Sequence, residues 1–125
     1  ISQWRQKAHS PEQLASMYLC VIDLETLGLR RESDRIVQIA ATSYGPVSQE
    51  TKSRGFLGRF SSLVNADGFR SNMYAFDAHK IAFSSTQKAK HLEAVWQELE
   101  VQLRIHGQQP TDEDEGPAEW VIGNE

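Results

Sequence analysis

The chain has 125 residues, of which 39% are hydrophobic, and its formal net charge at pH 7 is -4. This length supports one hydrophobic core and excludes two independent domains. Because there is no apolar run of 18 residues and no signal-peptide pattern at the start, we expect a soluble intracellular protein with no membrane partner. The single cysteine, Cys20, excludes an internal disulfide and a cysteine-rich zinc site.

Positive charge is confined to the first 104 residues, which hold all 13 Lys and Arg together with 11 Asp and Glu, whereas the remainder holds six acids. A balance of +2 over the main body is too small to indicate a polyanionic partner by itself. The sequence begins with Ile1 instead of Met and stops shortly after the apolar pair Val121-Ile122. We therefore expect a fragment or a truncated gene product.

Three apolar segments predict three strands with short links. Residues 17–22 form a nearly unbroken apolar run, which predicts a strand buried on both faces. Residues 36–44 predict a second strand, which Gly45-Pro46 should end because proline cannot donate to a ladder. Residues 55–64 predict a third, patchier strand. The short links favour an antiparallel meander, and Ser10-Pro11 predicts a short helix before it.

The second half of the chain carries one strong helical pattern. Residues 69–83 show no clear period, whereas residues 84–87 match a capping box and an apolar stripe predicts a core-facing helix over 85–105. The stripe consists of Ala89, Leu92, Val95, Trp96, Leu99 and Leu103. The acidic stretch 108–116 predicts a solvated loop. Residues 120–122 predict a fourth strand, parallel to an earlier one because a long helix precedes it.

Two carboxylates stand where the first strand ends. Asp23 and Glu25 are two residues apart, so a strand places both side chains on one face. Mg²⁺ and Mn²⁺ bind through one or two carboxylates and complete their shell with water and phosphate oxygens. The pair therefore predicts a metal site for phosphoryl transfer.

Two other interpretations of this pair follow from the residues alone. A D-x-E pair in a soluble protein is often an ordinary surface feature without a function. An apolar strand that ends in aspartate is also typical of P-loop ATPases, where the aspartate holds the metal of the nucleotide. The chain contains no G-x-x-x-x-G-K-[ST] sequence, which argues against the ATPase interpretation.

Residues 21–29, Val-Ile-Asp-Leu-Glu-Thr-Leu-Gly-Leu, resemble a strand ending D-x-E-T-T-G-L, and residues 34–41 resemble the D-x-I-I-[EQ]-I-[AG] that follows it. These segments resemble the first motif of the DEDD 3'-to-5' exonucleases, more narrowly the DEDDh group. Residues 78–81 resemble an H-G-I segment, and residues 121–124 resemble a strand ending A-H-N. This resemblance covers about residues 17–125. It implies a ribonuclease H-like α/β fold, in which a parallel fourth strand beside the first extends the meander and the long helix covers one face.

The resemblance also implies which residues act. Asp23 and Glu25 would bind the metals, which are two Mg²⁺ or Mn²⁺ ions in a complete site. The backbone of Thr26 would meet the 3'-terminal sugar, and Leu29 would wedge against the last base. The implied partner is a nucleic acid with a free 3' end, single-stranded where it enters the site.

Two further positions have alternative interpretations. His79 would lie near the terminal nucleotide or would be an exposed loop histidine. Asn124 would fix the turn after the fourth strand or would simply end that strand. The sequence departs from the family pattern at Leu27, which replaces a threonine, at Lys80, which replaces the glycine of H-G-I, and at Gly123, which replaces the histidine of A-H-N.

The rest of the family's site has no counterpart in this sequence. A third carboxylate, a histidine base and a fourth aspartate would follow the A-H-N segment, whereas His91 and His106 come too early and are predicted to be surface residues. Two functions stay open. Residues 17–125, after an N-terminal extension over 1–16, could be the N-terminal part of a metal-dependent 3'-to-5' exonuclease, with the isolated chain inactive or nearly so. They could instead form a catalytically inactive module that binds nucleic acid or a protein partner.

Overall fold

One mixed sheet of four strands organises the fold. The computed structural model describes residues 9–30, 33–107 and 119–124. The strands are β1 (Tyr18–Thr26), β2 (Ile36–Val47), β3 (Arg54–Leu63) and β4 (Trp120–Asn124), and the helices are α1 (Pro11–Ser16), α2 (Met73–His79), α3 (Phe83–Gln87) and α4 (Leu92–Gly107). The predicted loop over 108–116 lies outside the described residues, as does Glu125.

The strand order is β3-β2-β1-β4. β2 pairs with β1 and with β3 in antiparallel fashion, as the short links predict. β4 pairs with β1 in parallel, with Val21 opposite Gly123. The chain reaches β4 from β3 through the three helices α2 to α4, a connection of the kind that a parallel strand requires. The predicted mixed α/β sheet is therefore confirmed.

The hydrophobic core lies between α4 and one face of the sheet. Its buried members are Cys20, Ile22, Ile39, Ala41, Val64, Val95, Leu99 and Leu103. Burying one such aliphatic side chain contributes about 1.5–3 kcal/mol, so this face holds α4 against the sheet. On the opposite face of β1, Leu19 and Val21 are only half-buried, so the expected burial of this strand holds for one face alone. None of the described helices is long and apolar enough to cross a membrane.

The helix predicted over 85–105 is interrupted, so that prediction is wrong in its first part. α3 ends at Gln87 and α4 begins at Leu92, and the capping-box residues lie inside α3. The side-chain amide of Asn65 donates to the carbonyls of Gln87 at 3.2 Å and of Ala89 at 3.3 Å. A continuous helix would use these same carbonyls for its own hydrogen bonds, so the contact with Asn65 separates the two helices.

The second strand continues past the point where the sequence predicts its end. β2 extends through Gly45 and Pro46 to Val47, which pairs with Arg54 of β3. The register between β2 and β3 shifts between Tyr44 and Val47. Such an irregularity accommodates a proline, because the missing N–H faces no ladder partner there. The prediction that Gly45-Pro46 ends the strand is therefore wrong.

The short helix α1 is held against the start of the sheet. Ser10 forms a capping box at its N-terminus, where the sequence predicts a short helix. At its other end, the guanidinium of Arg54 donates to the carbonyls of Leu14 at 2.7 Å and Met17 at 2.5 Å, and also to Gly45 of β2 at 3.0 Å. One side chain thus satisfies carbonyls of α1, of the link to β1 and of the sheet.

Candidate functional site

The two carboxylates share the face of β1 that α4 does not cover. Asp23 lies opposite Ala40 of β2, and Glu25 lies opposite Gln38. Asp23 is exposed and Glu25 is half-buried. Within the described part of the chain, neither carboxylate has a hydrogen-bond or ion-pair partner. The site is therefore a pair of open oxygen donors at the carboxyl end of a strand.

The chemistry of this donor pair fits a hard divalent cation. Two like charges on one strand face repel each other unless a cation or water lies between them. Mg²⁺ and Mn²⁺ accept few protein carboxylates and take their other ligands from water and phosphate. Among the described residues, no group of three or more His, Cys, Asp or Glu side chains converges on one point. Within the described chain, this site would offer two carboxylate ligands to such an ion.

The turn that follows the carboxylates presents one apolar side chain to solvent. The hydroxyl of Thr26 donates to the carbonyl of Gly28 at 2.6 Å, which closes the turn and occupies the side chain. Leu27, which stands where the family has threonine, is buried, and its N–H donates to the carbonyl of Arg35 at 2.9 Å. Leu29, in contrast, is 98% exposed at the tip. The side chain expected to act as a wedge therefore has no packing role in the described fold.

Gly28 lets two neighbouring segments approach the turn closely. A Cβ at this position would overlap the side-chain amide of Asn72 and would lie 2.5 Å from Oδ2 of Asp34. That oxygen accepts a hydrogen bond from the N–H of Arg30 at 2.8 Å. The backbone N–H of Asn72 donates to the carbonyl of Leu27, also at 2.8 Å. The turn after the carboxylates is therefore packed directly against the start of α2.

His79 is the last residue of α2 and is half-buried, so it is not an exposed loop histidine. Its Nδ1 accepts a hydrogen bond from the N–H of Ile81 at 2.9 Å. The neutral ring therefore carries its proton on Nε2, which faces the hydroxyl of Ser71 at 3.0 Å. The hydrogen-bond partners of His79 are these two groups and not the carboxylates. The next residue, Lys80, has a φ of 58°, a left-handed conformation that favours the glycine of the family motif.

The two histidines on or beside α4 differ from each other. His91 is exposed, as predicted, and its Nε2 lies 3.0 Å from a carboxylate oxygen of Asp67. The surface position predicted for His106 is wrong, because only 8% of this residue is exposed. Its Nδ1 lies 3.0 Å from the hydroxyl of Ser43 and its ring packs on Gly58, and burial lowers its pKa. His106 supports the packing of α4 on the sheet, away from the carboxylates.

The end of β4 lies beside the end of β1. Asn124 is opposite Ile22, the residue before Asp23. The side chain of Asn124 lies outside the described part of the chain, so both interpretations of this residue stay predictions. A Cβ at Gly123 would meet only the side chain of Leu19 at 3.9 Å, an ordinary contact. The replacement of the family's histidine by glycine is therefore not required by packing within the described residues.

The pattern of apolar residues missed α2 and its exposed aromatic side chains. Residues 69–83 carry no apolar period, and none of the residues of α2 is buried. The helix begins instead at a side-chain cap made by Asn72. Tyr74 is 80% exposed, and Met73 and Phe76 are also exposed. Asn72 followed by helix formers was the one signal that could have located this helix.

Comparison with known proteins supports the fold. A scan against protein-family models gives no match, and a search of curated proteins gives none either. The chain is similar to the solved structure of cell-death related nuclease 4, with a TM-score of 0.63 at 15% identity, covering 86% of this chain and 34% of that one. It is also similar to a 3'-exonuclease that recognises the histone mRNA stem-loop by its 3' end, with a TM-score of 0.58 at 14% identity over 86% of this chain and 45% of that one.

A third similar structure is the metal-free complex of E. coli exonuclease I with single-stranded DNA, with a TM-score of 0.57 at 18% identity over 86% of this chain and 20% of that one. The chain thus spans less than half the length of each of these three proteins. These likenesses show the fold, and the ribonuclease H-like exonuclease fold implied by the sequence resemblance is confirmed.

Proposed function

We propose that this chain, which has the fold of 3'-exonucleases, is the N-terminal part of a metal-dependent 3'-to-5' exonuclease and carries the first pair of its metal-binding carboxylates. The observation that carries the proposal is the pair Asp23 and Glu25, which share one strand face and have no protein partner within the described residues. Two accessible carboxylates on one face can bind a hard divalent cation, and the fold is one that nucleases use.

The proposed roles follow the position of each side chain. Asp23 and Glu25 would hold Mg²⁺ or Mn²⁺, and a pair of such ions would supply water activation and stabilisation of the leaving oxygen of a phosphodiester. Thr26 presents its backbone to the terminal sugar, since its hydroxyl is engaged with the turn. Leu29 packs on the last base, because it is the most exposed apolar side chain of the described structure. In this proposal His79 lies near the terminal nucleotide, and Asn124 fixes the turn after β4.

The proposed partner is a nucleic acid with a free 3' end that enters as a single strand. Single-stranded DNA is present in the similar exonuclease I structure, and an RNA stem-loop end is recognised by the similar 3'-exonuclease. The described residues contain no convergent group of three metal donors. We therefore expect little hydrolysis by the isolated chain, and metal binding is the more direct test.

The test is a titration of Mn²⁺ into the 125-residue chain, in which electron paramagnetic resonance measures the fraction of bound Mn²⁺. We expect binding that weakens about tenfold or more in Asp23→Asn and in Glu25→Gln, because each removes a direct ligand. Glu50→Gln is the matched control, since Glu50 is an exposed carboxylate in the turn between β2 and β3. Equal Mn²⁺ affinity in all four proteins would refute the assignment of the site.

The second candidate function is a catalytically inactive module that binds nucleic acid or a protein. It is favoured by Lys80 and Gly123, which replace the glycine and histidine of two family motifs. For a module that binds nucleic acid, we expect no Mn²⁺ binding at the carboxylates and oligonucleotide binding that survives EDTA and both substitutions. Oligonucleotide binding that strictly requires metal would contradict this alternative.

A further inference from the structure

Exposed apolar side chains are concentrated in one part of the molecule. Of the eleven large hydrophobic residues that are exposed in the described structure, six lie in the two segments 24–29 and 69–76. These six are Leu24, Leu29, Phe69, Met73, Tyr74 and Phe76. Single exposed apolar residues are ordinary, but a contiguous group on a protein surface indicates a binding site.

The two segments are joined by direct contacts. Asn72, which begins α2, donates its backbone N–H to the carbonyl of Leu27 at 2.8 Å and packs against Gly28. Leu29 is therefore one residue from this junction, and Tyr74 is two residues from it. The start of α2 and the exposed tip of the turn after the carboxylates therefore lie side by side. We call the residues Phe69, Arg70, Met73, Tyr74 and Phe76 the α2 surface.

The charge of the α2 surface favours an anionic partner. The guanidinium of Arg70 lies 3.8 Å from the ring centroid of Phe83 and has no ion-pair partner among the described residues. The two acids closest in sequence to Arg70 and α2 already have cationic partners, because Asp67 binds Arg35 at 2.7 Å and Asp77 lies 3.5 Å from Lys80. An arginine already held on a ring loses little further entropy when it binds a phosphate. The surface thus combines exposed rings with an available cation.

We infer that the α2 surface binds a single-stranded nucleic acid, with the ring of Tyr74 stacked on an unpaired base and Arg70 in contact with a phosphate. This inference rests on the proposed function, since it places the strand that leads to the carboxylates. Rings that stack on bases and cations that follow the backbone are the two elements of single-strand binding. Bases within a duplex already stack on each other, so this surface selects single strands. Tyr74 is 80% exposed in the described fold, so a ligand would add most of its packing.

The test measures binding of a short fluorescein-labelled oligothymidylate by anisotropy, in EDTA so that neither metal nor cleavage contributes. We expect Tyr74→Ala to weaken binding about tenfold, whereas Tyr74→Phe, which keeps the ring, should bind as the wild type does. Arg70→Ala should weaken binding and reduce the slope of affinity against salt by about 1. Phe56→Ala is the matched control, because Phe56 is a 65% exposed aromatic residue on β3, outside the α2 surface. It should leave the affinity unchanged.

Three outcomes would overturn the inference: no oligonucleotide binding by the wild type, equal loss in Tyr74→Ala and Phe56→Ala, or equal affinity for the single strand and its duplex. The first outcome would favour a protein partner for this surface, and the last two would indicate a general electrostatic contact with nucleic acid. A Mn²⁺ titration of Tyr74→Ala separates this inference from the proposed function. Ring-dependent oligonucleotide binding without any Mn²⁺ binding would leave the α2 surface in place and refute the exonuclease site.

Discussion

Gly28→Ala should destabilise the fold even though alanine usually stabilises a chain relative to glycine. The added Cβ would overlap the amide of Asn72 and lie 2.5 Å from Asp34 Oδ2. Both side chains are held, because Asn72 caps α2 by accepting from Ala75 N–H at 2.8 Å and Asp34 accepts from Arg30 N–H. Loss of the cap costs about 1 kcal/mol and loss of the second hydrogen bond about 1 kcal/mol. The entropic gain of alanine offsets about 0.5 kcal/mol, which leaves a net loss of about 1.5 kcal/mol.

The assay is thermal unfolding followed by circular dichroism, with Gly55→Ala as the matched control. A Cβ at Gly55 would meet nothing within 4 Å, so this variant should melt at or slightly above the wild-type temperature. At about 4 °C per kcal/mol, Gly28→Ala should melt about 6 °C lower. The two substitutions therefore shift the melting temperature in different directions. If Gly28→Ala melts at or above the wild-type temperature, the close approach of α2 to the turn after Glu25 leaves room for a Cβ, and the reasoning is refuted.

Three further predictions concern the core. Burial lowers the pKa of His106, so the unfolded chain binds a proton at a higher pH than the folded chain does, and the free energy of unfolding should fall as the pH drops below 6.5. Urea unfolding of the wild type between about pH 5 and 8 should show this loss, and His106→Gln should show less of it. Leu99→Ala should cost about 3 kcal/mol through the cavity it leaves, whereas Val101→Ala, on the exposed side of α4, should change the free energy of unfolding by less than about 0.5 kcal/mol. Burial raises the pKa of Cys20 to about 11, so a thiol reagent near pH 8 should label Cys20 only in urea, and labelling of the native protein would contradict its burial.

The sheet could be predicted because its strands bury apolar residues at one face. Cys20, Ile22 and Ile39 contribute to one core cluster, and their spacing along the chain reflects that burial directly. The end of β2 was harder to predict, because Pro46 occupies an irregular position that only the pairing with β3 reveals. The strand propensity of a residue describes one strand at a time, whereas a bulge is defined by the pairing of two neighbouring strands.

The helix α2 and the position of His106 were less predictable for a different reason. α2 buries no residue, and its start depends on Asn72, so a search for apolar periods cannot detect it. The burial of His106 depends on Gly58 of β3, which lies 48 positions earlier and leaves room for the imidazole. Asp23 and Glu25 were placed on one face correctly because the period of a strand needs no tertiary information.

The hydrogen bonds of Arg54 hold the helix α1 in place, and this makes α1 a fixed attachment point far from the carboxylates. These hydrogen bonds fix α1 at the beginning of β1, whereas Asp23 lies five residues farther along the strand, roughly 16 Å away at about 3.3 Å per residue. Glu12 is exposed on α1, and the only native thiol is buried. A cysteine introduced at Glu12 would therefore accept a dye or a surface linker selectively. Single molecules immobilised in this way would leave the opposite end of the strand open to oligonucleotides.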